Sequence, residues 1–326
     1  MRKPNILVLA TGGTIAGTGG NALRRDYRPG QIGIEAFLAQ TRELGLGPSM
    51  QGQQIANIGS EDITPDIWRT LHAAIMEGMV DEECDGIVVT HGTDTAEETA
   101  LLLDLTLPTA KPVVLVGAMR AADAVGSDGL RNFANAVRVA ADPDAAGRGV
   151  LLVMSDKVIA ARDARKARTS GTEAFRGYPR DAVAAVTPSS LDWFGAPWAA
   201  GRAALYRFPE TFPETPILYA VAGMTGKHIE RLLSPDTQGL VLAGFGEGNA
   251  PQAIRERLTA LAQENIAVVR STRVDEGLVD REPEDNASRF VAARNMNPQK
   301  ARIMLQVLLA NGVADVRNIQ NAFDNR

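Results

Sequence analysis

The stretch Asn5-Ile6-Leu7-Val8-Leu9-Ala10-Thr11-Gly12-Gly13-Thr14-Ile15-Ala16-Gly17 decides the fold. From Ile6 to Ala10 it is continuously apolar, the pattern of a buried strand covered on both faces. Gly12 and Gly13 then let the backbone turn sharply at the strand's carboxyl end, where open α/β sheets bind their ligands. Thr14 stands just past that turn, with an alcohol that is nucleophilic only if something activates it. A plain strand-to-loop turn, whose threonines merely satisfy backbone groups, would read the same over these residues.

The rest of the chain repeats the alternation. Strand-like runs at Asn5–Ala10, Gly86–Thr90, Pro112–Gly117 and Gly149–Met154 are separated by helical patterns at Asp66–Val80, Ala96–Leu105 and Gly129–Ala141. In the first helix Ile67, Leu71, Ile75 and Met79 recur every four residues as one apolar stripe, and Thr64-Pro65 supplies its capped start. Alternation of this kind means an α/β protein with a doubly wound, mostly parallel sheet. Prolines 188, 197, 209, 213 and 216 interrupt the pattern, and a second α/β series follows. Its elements are a strand at Ile217–Val221, a helix at Thr225–Leu233, a strand at Gly239–Leu242, a helix at Pro251–Gln263 and a strand at Ile266–Arg270. Pro298–Ala310 reads as the last helix, started by Asn297-Pro298 and ended by Gly312. We therefore expect a larger N-terminal α/β domain over 1–190, a connection over 191–215 and a smaller C-terminal α/β domain over 216–326. The charged stretch Val274–Ser288 reads as a surface loop.

Composition narrows the class. In 326 residues, 45% are hydrophobic and 22% charged, ordinary for a globular enzyme or binding protein. A net charge of -5 without a basic run argues against nucleic acid as partner. One cysteine, Cys84, forbids an intrachain disulfide, and with three histidines it leaves little to build a metal site from. No run approaches the roughly 18 apolar residues that span a bilayer. Nothing ahead of Ile6 reads as a cleaved export signal, so the expected compartment is the cytoplasm, or the periplasm if such a signal had been removed.

Two strand-end loops carry the same chemistry. Val89-Thr90-His91-Gly92-Thr93-Asp94-Thr95 again follows a strand, with Thr93 and Asp94 at the head of the next helix. Asp94 with Glu97 three residues on could be a capping box. A helix N-terminus also receives carboxylates through free N–H groups and the dipole. Together with Asn57-Ile58-Gly59-Ser60-Glu61-Asp62 these loops bring hydroxyls, amides and carboxylates to the crevice of a doubly wound sheet. That set suits a small zwitterion. Taken singly the residues are bland: Tyr27 reads as a surface anchor, Lys166 as a solvated charge, Ser60 and Glu61 as loop caps and Asn249 as a turn residue. His72, His91 and His228 have no partner pattern and receive no catalytic role, and Cys84 reads as a structural or incidental thiol.

Ala10-Thr11-Gly12-Gly13-Thr14-Ile15-Ala16 and Thr90-His91-Gly92-Thr93-Asp94-Thr95 resemble the two signatures of bacterial-type L-asparaginases. The resemblance continues through Val116-Gly117-Ala118-Met119-Arg120, Val269-Arg270-Ser271-Thr272-Arg273-Val274 and Asn297-Pro298-Gln299-Lys300-Ala301-Arg302, and is greatest to the type II branch. It implies a cofactor-free, metal-free amidohydrolase that converts L-asparagine to L-aspartate and ammonia. It further implies that Thr14 attacks the side-chain amide, with Tyr27 beside it in a mobile Ala16–Arg28 segment. Thr93, Asp94 and Lys166 would form a Thr-Lys-Asp group, while Ser60, Glu61 and Asp94 bind the α-carboxylate and α-ammonium. Asn249 and Glu282 would come from a neighbouring subunit of a homotetramer, a dimer of close dimers, with Glu284 as a substitute for Glu282.

Elementary chemistry constrains these roles. A threonine alcohol is protonated at neutral pH and needs a base or proton relay. Tyr27 could serve with a lowered pKa, whereas Lys166 beside Asp94 is held as an ammonium and suits an electrostatic role better. The Thr93 N–H is the best candidate for an oxyanion donor. Glu61 stands where some members of the resembled family have glutamine, and glutamate there accompanies greater glutaminase activity, so secondary L-glutamine hydrolysis is expected. Three alternatives remain at this stage. An amidotransferase subunit of the same fold would ordinarily carry an added N-terminal domain. A non-catalytic amino-acid sensor would not need Thr14, Thr93 and Lys166 together. A dinucleotide-binding oxidoreductase would need a Gly-x-Gly-x-x-Gly after its first strand.

Overall fold

The computed structural model describes residues 2–19 and 27–325. By its internal packing the chain divides into two compact units, Met1–Leu205 and Tyr206–Arg326. The first unit holds strands β1 (Asn5–Gly12), β2 (Ser49–Ile58), β3 (Gly86–Thr90), β4 (Val113–Val116), β5 (Val150–Met154), β6 (Lys157–Ala160), β7 (Ala164–Lys166), β8 (Phe175–Gly177), β9 (Ala184–Val186) and β10 (Leu191–Trp193). Its helices are α1 (Ile34–Arg42), α2 (Pro65–Val80), α3 (Ala96–Thr106) and α4 (Gly129–Ala140).

Eight of these strands form one sheet in the order β10-β9-β6-β5-β4-β3-β1-β2. Pairing is parallel from β2 through β5 and antiparallel from β5 to β10. The sheet is therefore mixed, with a parallel heart, and β7 pairs with β8 as a separate two-stranded sheet. Within that heart the order 2-1-3-4-5 reverses direction between β1 and β3, the topological switch point at which such sheets open a ligand crevice. Residues of β1 alternate between two cores, as the two-residue period of a strand requires. Ile6, Val8 and Ala10 meet Phe37 of α1 and Phe133 and Val137 of α4, while Leu9 meets Leu71 and Ile75 of α2 and Leu103 of α3. Phe37 and Phe133 pack edge to face, with ring centroids 4.9 Å apart.

In this unit β2, β6 to β10 and α1 escape the sequence pattern. β2 is an edge strand with mostly exposed residues, so Gln51, Gln53 and Gln54 stand where an apolar run would mark a central strand. α1 buries only Ile34, Phe37 and Thr41, too few to show a stripe. β10 lies inside the stretch read as a connection, where it pairs with β9 at the far edge of the sheet. Thr64 does cap α2 as expected, accepting from the Ile67 N–H ahead of Pro65.

The second unit contains β11 (Ile217–Tyr219), β12 (Gly239–Gly244), β13 (Ala267–Thr272) and β14 (Phe290–Ala292), all parallel in that order. Its helices are α5 (Gly226–Glu230), α6 (Gln252–Gln263), α7 (Asp285–Ser288), α8 (Pro298–Ala310) and α9 (Val316–Asp324). Leu218, Leu240, Leu242 and Val268 of the sheet bury against Ile229 of α5 and Ile254, Leu258 and Leu261 of α6. Asn297 caps α8 by accepting from the Lys300 N–H.

Two expectations are corrected here. Pro298–Ala310 is not the last helix, because α9 follows it and packs beside β14. The stretch Val274–Ser288 is not wholly a surface loop: Val279 is fully buried, and Asp285, 1% exposed, holds an interior ion pair with Arg270. Charge in that stretch serves the inside of the unit as well as its surface.

Candidate active site

Three neighbouring strands end in the loops that sequence reading singled out. β1 leads into a 3-10 turn at Thr14–Ala16, β2 into one at Ser60–Asp62, and β3 into the Gly92–Thr95 loop before α3. Ala10 pairs with Thr90, so Thr14 and Thr93 follow adjacent, in-register strands across the switch point.

Gly13 makes this closeness possible. Its backbone lies at φ 78° and ψ -177°, a region that only glycine enters without strain. A Cβ there would sit 2.5 Å from the Gly92 nitrogen and Cα, inside any allowed contact. Gly13→Ala should therefore cost about 2–4 kcal/mol, from backbone strain plus forced separation of the two loops. Denaturant unfolding is the check; a loss below about 1 kcal/mol would mean that the loops can part freely.

Thr14 is 8% exposed, and its Oγ1 lies 2.7 Å from the Tyr27 hydroxyl. The segment carrying Tyr27 closes through Thr18 and Arg28, which pair as an isolated antiparallel bridge. Residues 20–26 of the expected Ala16–Arg28 segment lie outside the described residues.

The second cluster follows β3. The Lys166 ammonium, on β7, donates to Thr93 Oγ1 at 2.9 Å and to Asp94 Oδ1 at 2.5 Å. The Lys166 side chain is 18% exposed and that of Asp94 60%, so the pair faces solvent from its acidic side. The alternative of an Asp94–Glu97 capping box is not what forms. Thr95, not Asp94, occupies the cap position of α3, and Glu97 is buried.

Ser60 joins the second loop to this cluster. Its buried hydroxyl accepts from the N–H groups of Asp94, at 3.1 Å, and Thr95, at 3.4 Å. Accepting both leaves the hydroxyl's own hydrogen to be donated. Thr95 returns a bond from Oγ1 to the Ser60 carbonyl at 2.8 Å. Glu61 is exposed, with its carboxylate folded back over Gly59.

The remaining candidates lie in the second unit. Asn249 closes a short turn whose backbone pairs with Phe245. Glu282 is half-buried: it accepts from Arg255 at 2.9 Å and lies 3.3 Å from Arg270. Glu284 is exposed two residues on.

His91 has no catalytic place and a clear structural one. Its Nε2 is 3.0 Å from Thr99 Oγ1, which accepts from the Trp68 indole N–H at 2.8 Å. Because the Gly92 carbonyl can only accept, Nδ1 of the neutral ring carries the hydrogen and donates to it at 2.7 Å, which leaves Nε2 to accept from the Thr99 hydroxyl. Burial pushes the imidazole below its ordinary range, in keeping with a neutral ring.

One supporting residue was not singled out from sequence. The Asp128 carboxylate, buried before α4, accepts from the N–H groups of Met119 and Arg120 and from the Asn132 amide, fixing the loop after β4. Its signal is local: an acidic residue just ahead of Gly129 at a helix start. Among the described residues, no group of three or more His, Cys, Asp and Glu stands together as a metal site. None of the described helices is long and apolar enough to cross a membrane.

Comparison with known proteins matches the chain to a family. The family model described as Asparaginase, N-terminal, matches residues 5–199, and that of the Glutaminase/Asparaginase C-terminal domain matches residues 216–323. The chain is 39% identical to a probable periplasmic L-asparaginase of Haemophilus influenzae, over 99% of this chain and 93% of the relative. It is 38% identical to L-asparaginase 2 of Escherichia coli, over 98% of this chain and 93% of that one. A glutaminase-asparaginase of Pseudomonas fluorescens biotype A is 34% identical, over 98% and 90% respectively. The crystal structure of a probable cytoplasmic L-asparaginase from Campylobacter jejuni superposes with a TM-score of 0.93 at 33% identity, covering 99% of this chain and all of that one. With both family models matched in order and relatives similar along nearly its whole length, the chain belongs to the asparaginase/glutaminase family.

Proposed function

We propose that this chain hydrolyses the side-chain amide of L-asparagine to L-aspartate and ammonia through Thr14, and that of L-glutamine more slowly. One observation carries the mechanism: a buried threonine alcohol 2.7 Å from a phenol, at the switch-point edge that also holds a Lys–Thr–Asp cluster.

In this reading the Ser60 hydroxyl donates to the substrate α-carboxylate, while Glu61 and Asp94 face the α-ammonium. Thr14 Oγ1 attacks the amide carbon. The Thr14 proton passes to the Tyr27 oxygen as the phenol hydrogen passes to the amide nitrogen. A C–O bond forms, the carbonyl becomes a tetrahedral oxyanion, and its charge is met by the Thr93 N–H; losing one such donor typically costs about 3 kcal/mol. The C–N bond then breaks and ammonia leaves. Water attacks the acyl-threonine, aspartate departs, and the alcohol regains its proton. Lys166, as an ammonium held by Asp94, orients Thr93 and stabilises the developing negative charge.

Asn249 and Glu282 of a neighbouring subunit complete the ammonium side in a homotetramer of two close dimers. Glu282 must keep a lone pair for that ligand beyond its bonds to Arg255 and Arg270; Glu284 is the substitute if it does not. A site shared in this way leaves a separated monomer inactive. Sedimentation velocity alongside activity is the check, and a fully active monomer would sink the shared site.

Ammonia release from L-asparagine and L-glutamine, without tRNA or any other protein, tests the activity. Asparagine should turn over readily and glutamine measurably but more slowly. No ammonia from asparagine would overturn the function, and undetectable glutamine turnover the secondary activity alone.

A further inference from the structure

We propose that Asp123, in the loop after β4, is a positioning residue that holds the Tyr27 hydroxyl against Thr14; this rests on Tyr27 being the proton relay described above. Tyr27 immediately precedes Arg28, whose N–H donates to the Thr18 carbonyl at 2.9 Å while the Thr18 N–H returns a bond at 3.3 Å. The 17–19 arm of that bridge is pinned from outside by two bonds from a single loop. The Ala122 N–H donates to the Gly17 carbonyl at 2.9 Å, and the Gly19 N–H donates to the Asp123 carboxylate at 2.9 Å.

The Tyr27 ring rests directly on this arm. A Cβ on Gly17 would fall 2.8 Å from Tyr27 Cδ2, and one on Gly19 would fall 3.1 Å from Tyr27 Cα. Moving the arm therefore moves the ring. The anchoring loop is itself rigid, because Asp128 accepts from the Met119 and Arg120 N–H groups and the Arg120 guanidinium donates to the Gly126 carbonyl. Of the two tethers, the Ala122 bond is backbone to backbone and any residue would supply it. Only Asp123 contributes through its side chain, with an ionised acceptor that makes a stronger bond than a neutral one.

The test is a double-mutant cycle with Tyr27→Phe, read by asparagine turnover and by deuterium uptake at the amides of Gly17–Gly19 without substrate. Asp123→Ala should lower kcat about tenfold with KM within about twofold, since misplacing a reacting group by an ångström can cost about 100-fold. Asp123→Asn, whose amide oxygen still accepts from Gly19, should stay within about twofold of wild type. In the Tyr27→Phe background, Asp123→Ala should change kcat by less than about twofold. Uptake at the Gly19 amide should rise in Asp123→Ala and not in Asp123→Asn. An equal loss in both backgrounds, or unchanged uptake in Asp123→Ala, overturns the inference alone. Wild-type kcat in Tyr27→Phe overturns the relay assignment and the inference with it.

Discussion

Thr14→Ala should lose asparagine turnover by a factor on the order of 10⁴–10⁶, the range seen when the nucleophile of a covalent hydrolase is removed. The size follows from what is deleted. In the proposed mechanism the loss of the alcohol removes the acyl-enzyme, leaving substrate binding, the Thr93 N–H and the Lys166–Asp94 charges to act on a water. The fold should survive, since the change removes a hydroxyl and a methyl from a turn anchored by Ile15 and Ala16 in the core beneath. Thr14→Ser keeps the oxygen and should retain a substantial fraction of the activity. The measurement is ammonia release alongside thermal unfolding. Thr14→Ala turnover within about a hundredfold of wild type, at unchanged stability, would take the nucleophile's role from Thr14.

The second large effect concerns stability. Arg270 and Asp285 are each 1% exposed and are joined by two bonds of 2.9 and 2.7 Å. Asp285 also accepts from the Glu282 N–H, and Arg270 donates to the carbonyls of Glu247 and Asp280. Removing one member of such a pair strands the other's charge in the interior, so Asp285→Ala should cost about 3–5 kcal/mol. Replacing both, as Arg270→Met with Asp285→Leu, should recover much of that loss, because no charge is then left unpaired. Calorimetry or denaturant unfolding reads both variants. A cost of about 1 kcal/mol or less for Asp285→Ala would mean that the Glu282 carboxylate, 3.3 Å from Arg270, already suffices as its partner.

Legibility in the sequence followed how each element is stabilised. β3 and α8 could be read to the residue, the first because both its faces are buried and the second because Asn297 and Pro298 mark its start. β2 could not, since an edge strand draws its stability from backbone pairing with β1 and needs little apolar surface. α9 hides for a related reason: it buries only Ile319, Gln320 and Phe323. In the site, Thr14 and Thr93 were visible as alcohols behind strand-end glycines. Lys166 was not visible from chemistry alone. It meets Asp94 across 72 residues of chain, from a short strand outside the main sheet, and no local pattern encodes that meeting. Only the family resemblance pointed to it. Asp285 was misjudged because a charged residue in a polar stretch reads as solvated until its partner Arg270 is seen beneath it.

The direction reversal between β1 and β3 also divides the support of the two side-chain clusters between layers. The turn bearing Thr14 is rooted through Ile15 and Ala16 in the layer formed with α1 and α4. The helix behind Thr93 and Asp94 is rooted through Ala100 and Leu103 in the opposite layer, with α2. The main sheet is thus a partition wall, with the Thr14 hydroxyl mounted from one room and the helix behind Thr93 and Asp94 from the other. The two mounts meet where Gly13 packs on Gly92. They meet again through the β2 loop, whose Ile58 carbonyl accepts from the Gly13 N–H while Ser60 bonds Asp94 and Thr95. A substitution that shifts either mount should accordingly be felt in the other through those contacts.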